Sequence, residues 1–276
     1  MNSDFEDNQI KESISATFDD VANDYDSNKQ FVISAKRLVE ILKKQELKDE
    51  SNILDLSTGT ANVALEIAKE YPNSKIHGVD ISKEMLGIAA VKIKEMNIKN
   101  IRLYHQDVEN LKLSLDKFDL VTCGYGLFFY PNMEKVFCDI SKRISKKGKF
   151  IFSIFTKDAF QPYTKTFLEI LKNNYNIQLP NKLEGISLDT KEDIEELASL
   201  INPSTVETEY FKIRMDLSIE QWWDLINSSG FKAFISQLNV EEYKAFKKEY
   251  FKHLENVTIN KTIKLNADTL FAIITI

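Results

Sequence analysis

Residues 53–80 read ILDLSTGTANVALEIAKEYPNSKIHGVD. A short apolar run, a turn of small residues, an amphipathic segment and a second apolar run ending in aspartate follow the order strand, tight turn, helix, parallel strand. The turn Ser57-Thr58-Gly59-Thr60-Ala61 carries little bulk at alternate positions, so the chain can reverse there and its amides can approach a ligand closely. Those amides open a helix from about Asn62, whose N-terminus attracts negative charge. Asp80 closes the second strand, where a carboxylate can accept the hydroxyls of a ribose. The spacing suits a nucleoside-containing cofactor. A plain βαβ unit without a ligand is the competing reading, because Gly59 is the sole glycine of the turn.

Downstream, the same rhythm continues. Ser82 and Glu84 form a capped start to a second crossover helix over 82–96, with Met85, Ile88, Ala89 and Ile93 on one face. A third strand is predicted over 100–107, a fourth over 117–122, a third crossover helix over 136–144, a turn at Lys146-Lys147-Gly148 and a fifth strand over 149–155. Upstream, Val32, Ala35, Leu38, Val39 and Leu42 predict a helix over 31–44 that flanks or lids the sheet. Alternating strands and helices require a parallel sheet covered on both faces, with ligands outside the carboxyl ends of its strands. Asp55, Asp80, Asp107 and the Cys123-Gly124-Tyr125-Gly126 turn all fall at or near those ends.

A chain of 276 residues with 43% hydrophobic content can bury one large core, or a core and a smaller cap. Its formal charge of −6 disfavours a protein whose task is gripping a phosphate backbone. Cys123 and Cys138 form no metal-ligand or CxxC pattern, which fits a reduced, cytoplasmic setting with neither metal nor disulfide scaffold. The polar, acidic opening residues and the lack of any run of about 18 apolar residues predict no leader and no membrane span.

Taken together, FDDVANDYD (18–26), ILDLSTGTANVALE (53–66), IHGVDISKEML (76–86), YHQDVENL (104–111), FDLVTCGYGLFFYPNM (118–133) and ISKKGKFIFSIF (144–155) resemble the class I S-adenosylmethionine-dependent methyltransferases. The pattern is most similar to the ubiquinone/menaquinone C-methyltransferase group. The resemblance implies a Rossmann-like, seven-stranded, mostly parallel sheet whose last two strands form an antiparallel edge hairpin, with a helical insertion covering the substrate. It divides the chain into a helical lid (1–50), a cofactor-binding core (51–155) and a cap with the final edge strands (156–276).

By the same resemblance, Asp55, Ser57, Gly59 and the amides near Ala61 hold the methionine end of S-adenosylmethionine, and Asp80 holds the ribose. Ile81 and Met85 pack on adenine, Asp107 accepts from its amino group, and the Val108 amide meets the ring edge. Cys123 and Gly124 lie beside the methionine, and Tyr25 reaches over its carboxylate. Ser57 and Ala61 depart from the glycine-rich pattern but remain small. Cys123 reads equally well as a small buried hydrophobe, and His105 as the cap of a strand.

Beyond residue 155 the reading is coarser. Helices are predicted over 158–174, 189–200, 218–229 and 240–254, a loop passes through Pro180 and Gly185, a sixth strand spans 206–217 and a last strand 269–276. Trp222 and Trp223 sit side by side on one helix, so one packs inward and the other faces the pocket or solvent. With Phe128 and Phe129 they are the candidate substrate contacts, although core packing is the commoner fate of such rings. Tyr25, His105 and Tyr125 are the candidate bases if the acceptor needs one. The reaction expected is methyl transfer to a small-molecule oxygen, nitrogen or carbon nucleophile. The alternatives are a nucleic-acid or protein methyltransferase, against which CGYG replaces the usual Asn/Asp-Pro-Pro-aromatic turn, a non-catalytic binding protein, and a non-methylating use of the cofactor.

Overall fold

A computed structural model describes residues 2–177 and 188–276. The predicted loop through Pro180 and Gly185 lies outside the described residues. In chain order the elements are α1 (Asn2–Val21), α2 (Lys29–Leu42), β1 (Asn52–Leu56), α3 (Asn62–Glu70), β2 (Lys75–Asp80), α4 (Lys83–Glu95), β3 (Ile101–His105), β4 (Phe118–Gly124), α5 (Met133–Ser141) and β5 (Ile144–Phe155). They are followed by α6 (Tyr163–Tyr175), α7 (Lys191–Ser199), β6 (Thr205–Phe211), β7 (Arg214–Ser218), α8 (Ile219–Asn227), α9 (Lys232–Ile235), α10 (Val240–Val257), β8 (Thr262–Asn266) and β9 (Thr269–Thr275). Short 3-10 turns stand at Tyr25–Ser27, Val108–Asn110 and Leu127–Phe129.

Seven strands form one sheet in the order β3-β2-β1-β4-β5-β9-β6, parallel except where β9 runs against β5 and β6. This is the Rossmann-like α/β sheet expected from the sequence. Burial on both faces follows from the period of two along each strand. Ile53, Leu120, Ile151 and Phe271 join α2 and α3 on one face, whereas Leu54, Val121, Phe150, Phe152 and Ala272 join α5 and α7 on the other. The order reverses between β1 and β4, which sets the ligand crevice beside the carboxyl end of β1.

Four local expectations are corrected. The Lys146-Lys147-Gly148 turn lies inside β5: Ile144 pairs with Phe118 and Lys149 with Leu120, so the intervening residues bulge, with Lys147 left-handed at φ 67°. The sixth strand over 206–217 is two strands, β6 in the large sheet and β7 paired with β8 in a separate ribbon. Asp268 causes the break: its buried carboxylate accepts from the Ile213 amide at 3.1 Å and bonds Tyr210 and Arg214, while the Ala267 amide reaches the Ile213 carbonyl at 2.9 Å. β6 and β9 are antiparallel neighbours but no hairpin, because β7, three helices and β8 come between them.

The fourth concerns the tryptophans, both of which are buried. Trp222 is 0% exposed and donates from Nε1 to the Tyr250 hydroxyl at 2.8 Å. Trp223 is 4% exposed among Tyr243, Phe246, Tyr250 and Phe251. Neither faces pocket or solvent: helices α6 and α10 enclose α8 from two sides, so both sides of the Trp-Trp pair are inward. Phe167 completes this aromatic core at 0% exposure.

Trp222→Ala is therefore expected to lower unfolding stability by about 3–5 kcal/mol, read from urea midpoints, as the removal of a large ring from a closed core does.

Candidate active site

The crevice is built on the turn after β1. Ser57, Gly59 and Ala61 adopt φ of 46°, 54° and 65°, so alternate residues of the turn are left-handed, the geometry in which successive amides converge. Two carboxylates hold it. Asp55, 1% exposed, accepts from Thr122 Oγ1 on Oδ1 and from Thr58 Oγ1 on Oδ2, both at 2.6 Å. Asp80, 7% exposed, accepts from the Gly59 amide at 2.7 Å and the Ser82 amide at 2.8 Å. Burial pushes the Asp55 carboxyl up to about 6 against the pull of the two threonines, and burial likewise raises Asp80.

Across the crevice stands the segment between α1 and α2. Tyr25 stacks on Phe31 at 4.6 Å, and Tyr125 stacks on Phe155 at 4.1 Å, its hydroxyl bonded to Thr269 Oγ1 at 2.7 Å. Asp26 reaches the start of α3, accepting from Thr60 Oγ1 at 2.6 Å and Asn62 Nδ2 at 2.8 Å, with Lys92 Nζ at 2.7 Å on its other oxygen. Burial opposes its charge, but these three donors outweigh that and hold the carboxyl below its usual range. Between the walls remains a cavity of about 40 Å³, lined by Tyr25, Phe31, Ser34, Asp55, Ser57, Thr58, Gly59, Thr60, Asn62, Gly124 and Tyr125 among others.

Apart from Asp80, which braces the Gly59 amide from outside the crevice lining, the expected cofactor residues thus fall into two groups. Tyr25, Asp55, Ser57, Gly59 and Gly124 line the crevice itself. Ala61 is buried at the start of α3, and Cys123 is buried below the turn, 3.8 Å from the Tyr130 hydroxyl that also meets Ser57 Oγ at 2.7 Å. Burial drives the Cys123 thiol up to about 12, which removes it as a nucleophile. Ile81, Met85, Asp107 and Val108 form the second group, along an edge covered by α1: Met85 packs with Val21 and Ala22, and Asp107 is bonded by Lys11 at 3.0 Å.

The candidate bases are poorly placed or strongly protonated. His105 is exposed and its Nε2 lies 2.9 Å from the Ile81 carbonyl oxygen, at the end of its strand. Burial raises the phenol of Tyr125 to about 12, and burial with the nearby Asp80 and Asp26 charges raises that of Tyr25 well beyond its usual range. Phe129 meets Phe18 edge-on at 5.2 Å and Phe128 at 4.8 Å, and neither Phe128 nor Phe129 lines the crevice. The sequence reading missed Asp26, Phe31, Ser34, Thr58, Thr60, Asn62 and Tyr130. Thr58 and Thr60 lay within the quoted turn, and Asp26 adjoined Tyr25, so their hydroxyl and carboxyl chemistry was in plain sight.

Residues 47–201, more than half of the chain, match the family described as a methyltransferase domain. The chain belongs to this methyltransferase family. Relatives include two demethylmenaquinone methyltransferases, that of Staphylococcus haemolyticus, 28% identical over 63% of this chain and 72% of the relative, and that of Staphylococcus saprophyticus, 30% identical over 62% and 72%. Among solved structures, the YcgJ protein of Bacillus subtilis superposes with a TM-score of 0.58 at 17% identity, covering 86% of this methyltransferase and 97% of that chain. A phosphoethanolamine N-methyltransferase of Haemonchus contortus superposes with a TM-score of 0.53 at 18% identity, over 87% and 52%.

The folded Asp55 keeps its proton to about pH 6, whereas in the unfolded chain it ionises near 4, so its contribution favours the fold at low pH and is lost as pH rises through about 6. Asp26 and Asp107, held low, contribute in the opposite sense. Urea midpoints of wild type and Asp55→Asn measured from pH 4 to 7 should isolate the Asp55 share: the fall in stability across that window is expected to flatten in the variant.

Proposed function

We propose that this methyltransferase moves a methyl group from S-adenosylmethionine to a small-molecule acceptor. The observation that carries the reading is the convergence of the left-handed turn, braced by Asp80 through the Gly59 amide, and the Gly124-Tyr125 strand end on one aromatic-walled crevice. The residues fit the cofactor by chemistry. The Asp80 carboxylate accepts from the Gly59, Ser82 and Ile81 amides, and its two oxygens together retain capacity for a ribose hydroxyl. Thr60 and Asn62 offer donors at the start of α3 for a carboxylate, a role that Asp26 fills here.

In this reading Asp80 holds the ribose, and Asp107 with the Val108 amide holds adenine between Ile81 and Met85. Asp55, Ser57, Gly59, Ala61, Cys123 and Gly124 surround the methionine end under Tyr25. The cofactor supplies a methyl carbon made electrophilic by its sulfonium, and displacement at that carbon is in line. The protein's share is orientation, which can supply about 7–11 kcal/mol of such a barrier. The faces of Tyr25, Phe31 and Tyr125 favour a cation and keep water away.

The crevice phenols are held protonated by burial, which favours an acceptor that is nucleophilic without a protein base, such as an amine or an activated carbon. The relatives named demethylmenaquinone methyltransferase and the structural neighbour named phosphoethanolamine N-methyltransferase act on acceptors of these two kinds. A net charge of −6 disfavours a nucleic-acid substrate. The two unpaired cysteines fit a reducing, cytoplasmic setting, and among the described residues no helix is long and apolar enough to cross a membrane.

Calorimetry should show micromolar binding of S-adenosylmethionine and S-adenosylhomocysteine, weakened at least about tenfold, or about 1.4 kcal/mol, by Asp80→Asn. No binding to folded wild type would sink the reading. With labelled methyl donor and a panel of quinols, phenols and amines, Tyr125→Phe should lose less than about 100-fold in kcat, the lower bound for a true general base. A larger loss, in a variant that still binds the donor, would assign Tyr125 as that base.

A further inference from the structure

Among the described residues four buried side-chain polar atoms have no hydrogen-bond partner: Gln30 Nε2, Arg37 Nε, Ser153 Oγ and Ser229 Oγ. A buried donor left without a partner costs the fold its desolvation, and native interiors hold few of them. Arg37 is engaged through its other nitrogens, by Glu40 and Glu209. The remaining three gather around the crevice.

Ser153 of β5 pairs with Gly124 of β4, and a Cβ on Gly124 would stand 4.0 Å from the serine hydroxyl. Gly124 lines the crevice. Gln30 lies on the buried face of α2, one turn before Ser34 and next to Phe31, both of which line the crevice as well. Ser229 belongs to the turn after α8, where the cap meets the segment that precedes α2.

Asn28 closes that seam. Its amide donates to the Tyr25 carbonyl at 2.9 Å, to the Ser228 carbonyl at 2.8 Å and to Ser228 Oγ at 3.0 Å. Gln30 follows Asn28 by two residues and Ser229 follows Ser228 by one, so two idle donors flank a bonded pair. Rings stand beside them: a Cβ on Gly230 would lie 3.3 Å from Phe129 Cζ, and Phe129 meets Phe18 at 5.2 Å. An amide and a hydroxyl with nothing to bond, next to aromatic faces, match one feature of a ligand, an oxygen lone pair.

We propose that Gln30 and Ser229 select the methyl acceptor, each able to donate to an oxygen that the acceptor presents at this seam, with Ser153 as a further hydroxyl beside Gly124. The inference rests on the methyl-transfer reading and adds what the acceptor must carry, a hydroxyl, carbonyl or ether oxygen. That oxygen is a handle for orientation, and the methylated atom can be another atom of the same molecule. A site built to hydrogen-bond a ligand oxygen rejects the analogue that lacks it far more strongly than an apolar pocket does, because its own donors are then left bare. Gln30 and Ser229 are thus specificity residues, kept at the expense of some stability of the empty protein.

Gln30→Met and Ser229→Ala each remove one idle donor with little change of shape, and either variant alone suffices for the test. Their urea midpoints are expected at or above that of wild type. Calorimetry in the presence of S-adenosylhomocysteine uses two pairs of probes that differ in one hydroxyl, tyramine with phenethylamine and 1-naphthol with 1-methylnaphthalene. Wild type is expected to bind the hydroxyl member of at least one pair at least tenfold more tightly, and each substitution to cut that preference at least threefold without weakening S-adenosylhomocysteine. Lowered urea midpoints with the wild-type preference intact overturn the assignment, since the two groups would then serve the fold. Equal affinity for both members of each pair in wild type also overturns it. Binding of neither pair by wild type that still binds S-adenosylhomocysteine overturns the acceptor site and leaves the cofactor reading standing. No binding of S-adenosylhomocysteine by folded wild type overturns both.

Discussion

The fold and the site both depend on one strained turn. Ser57 and Ala61 are not glycines, yet both are left-handed, at roughly 1–2 kcal/mol each. Compensation comes from two strands. Asp55 at the end of β1 ties Thr58 to Thr122 of β4, and Asp80 at the end of β2 ties the Gly59 amide, while the Thr58 amide reaches the Val79 carbonyl at 2.9 Å. The register that makes this possible pairs Asp55 with Gly78. A Cβ on Gly78 would stand 3.0 Å from Thr58 Oγ1, so a side chain there would press on the threonine that Asp55 holds. The sheet alignment, the turn and the buried carboxylates are therefore one device, each held in place by the others.

That device was legible because every part of it is local. Strand, small-residue turn, helix and aspartate lie within one continuous stretch, and period-two and period-3.6 patterns report such units directly. The N-terminal helix was equally local, with Ile10, Ile14, Phe18 and Val21 forming a helical stripe, but its acidic surroundings concealed it. Elsewhere the deciding contacts are distant in sequence. Whether 206–217 is one strand or two is settled by Asp268, and nothing near residue 212 announces that partner. Likewise, adjacency of Trp222 and Trp223 implies opposite environments only on a helix with one covered side, and α10 comes from far downstream to cover the other. The Lys146-Lys147-Gly148 stretch has the composition of a turn, and only its pairing with β4 and the chain end makes it a bulge: the Lys147 amide meets the Ile276 carbonyl at 2.9 Å.

The residues expected at the site divide along the same line. Asp55, Ser57, Gly59 and Gly124 sit where strand ends put them, and their positions follow from the sheet alone. Tyr25 belongs to a segment whose placement depends on tertiary contacts, and the same contacts place Asp26 and Lys11. Sequence patterns rank such residues as ordinary surface groups, since a lysine on a polar helix and an aspartate in the turn after it carry no signal of what they will meet.

A continuous run of rings joins the N-terminal segment, the crevice and the cap, and both of its ends are anchored. From Phe18 the contacts pass to Tyr25, Phe31, Tyr125, Phe155 and Phe160, and end on Trp222 in the cap. On the cap side Trp222 is fixed by Tyr250, whose hydroxyl in turn donates to the Tyr163 carbonyl at 3.0 Å, within a core holding Phe167 and Phe246 at 0% exposure. Moving that side means opening a close-packed interior, at several kcal/mol. In the middle, Tyr125 is anchored to Thr269 and lies flat on Phe155. Tyr25 stacks on Phe31, and its carbonyl accepts at 2.9 Å from Asn28 Nδ2, which also reaches the Ser228 carbonyl of the cap at 2.8 Å. The N-terminal segment is therefore tied to the cap as well as to the crevice, through one buried asparagine. The rings that line the crevice, Tyr25, Phe31 and Tyr125, are thereby braced from the cap through Phe155 and Phe160, while the tryptophans stay within the closed cap core.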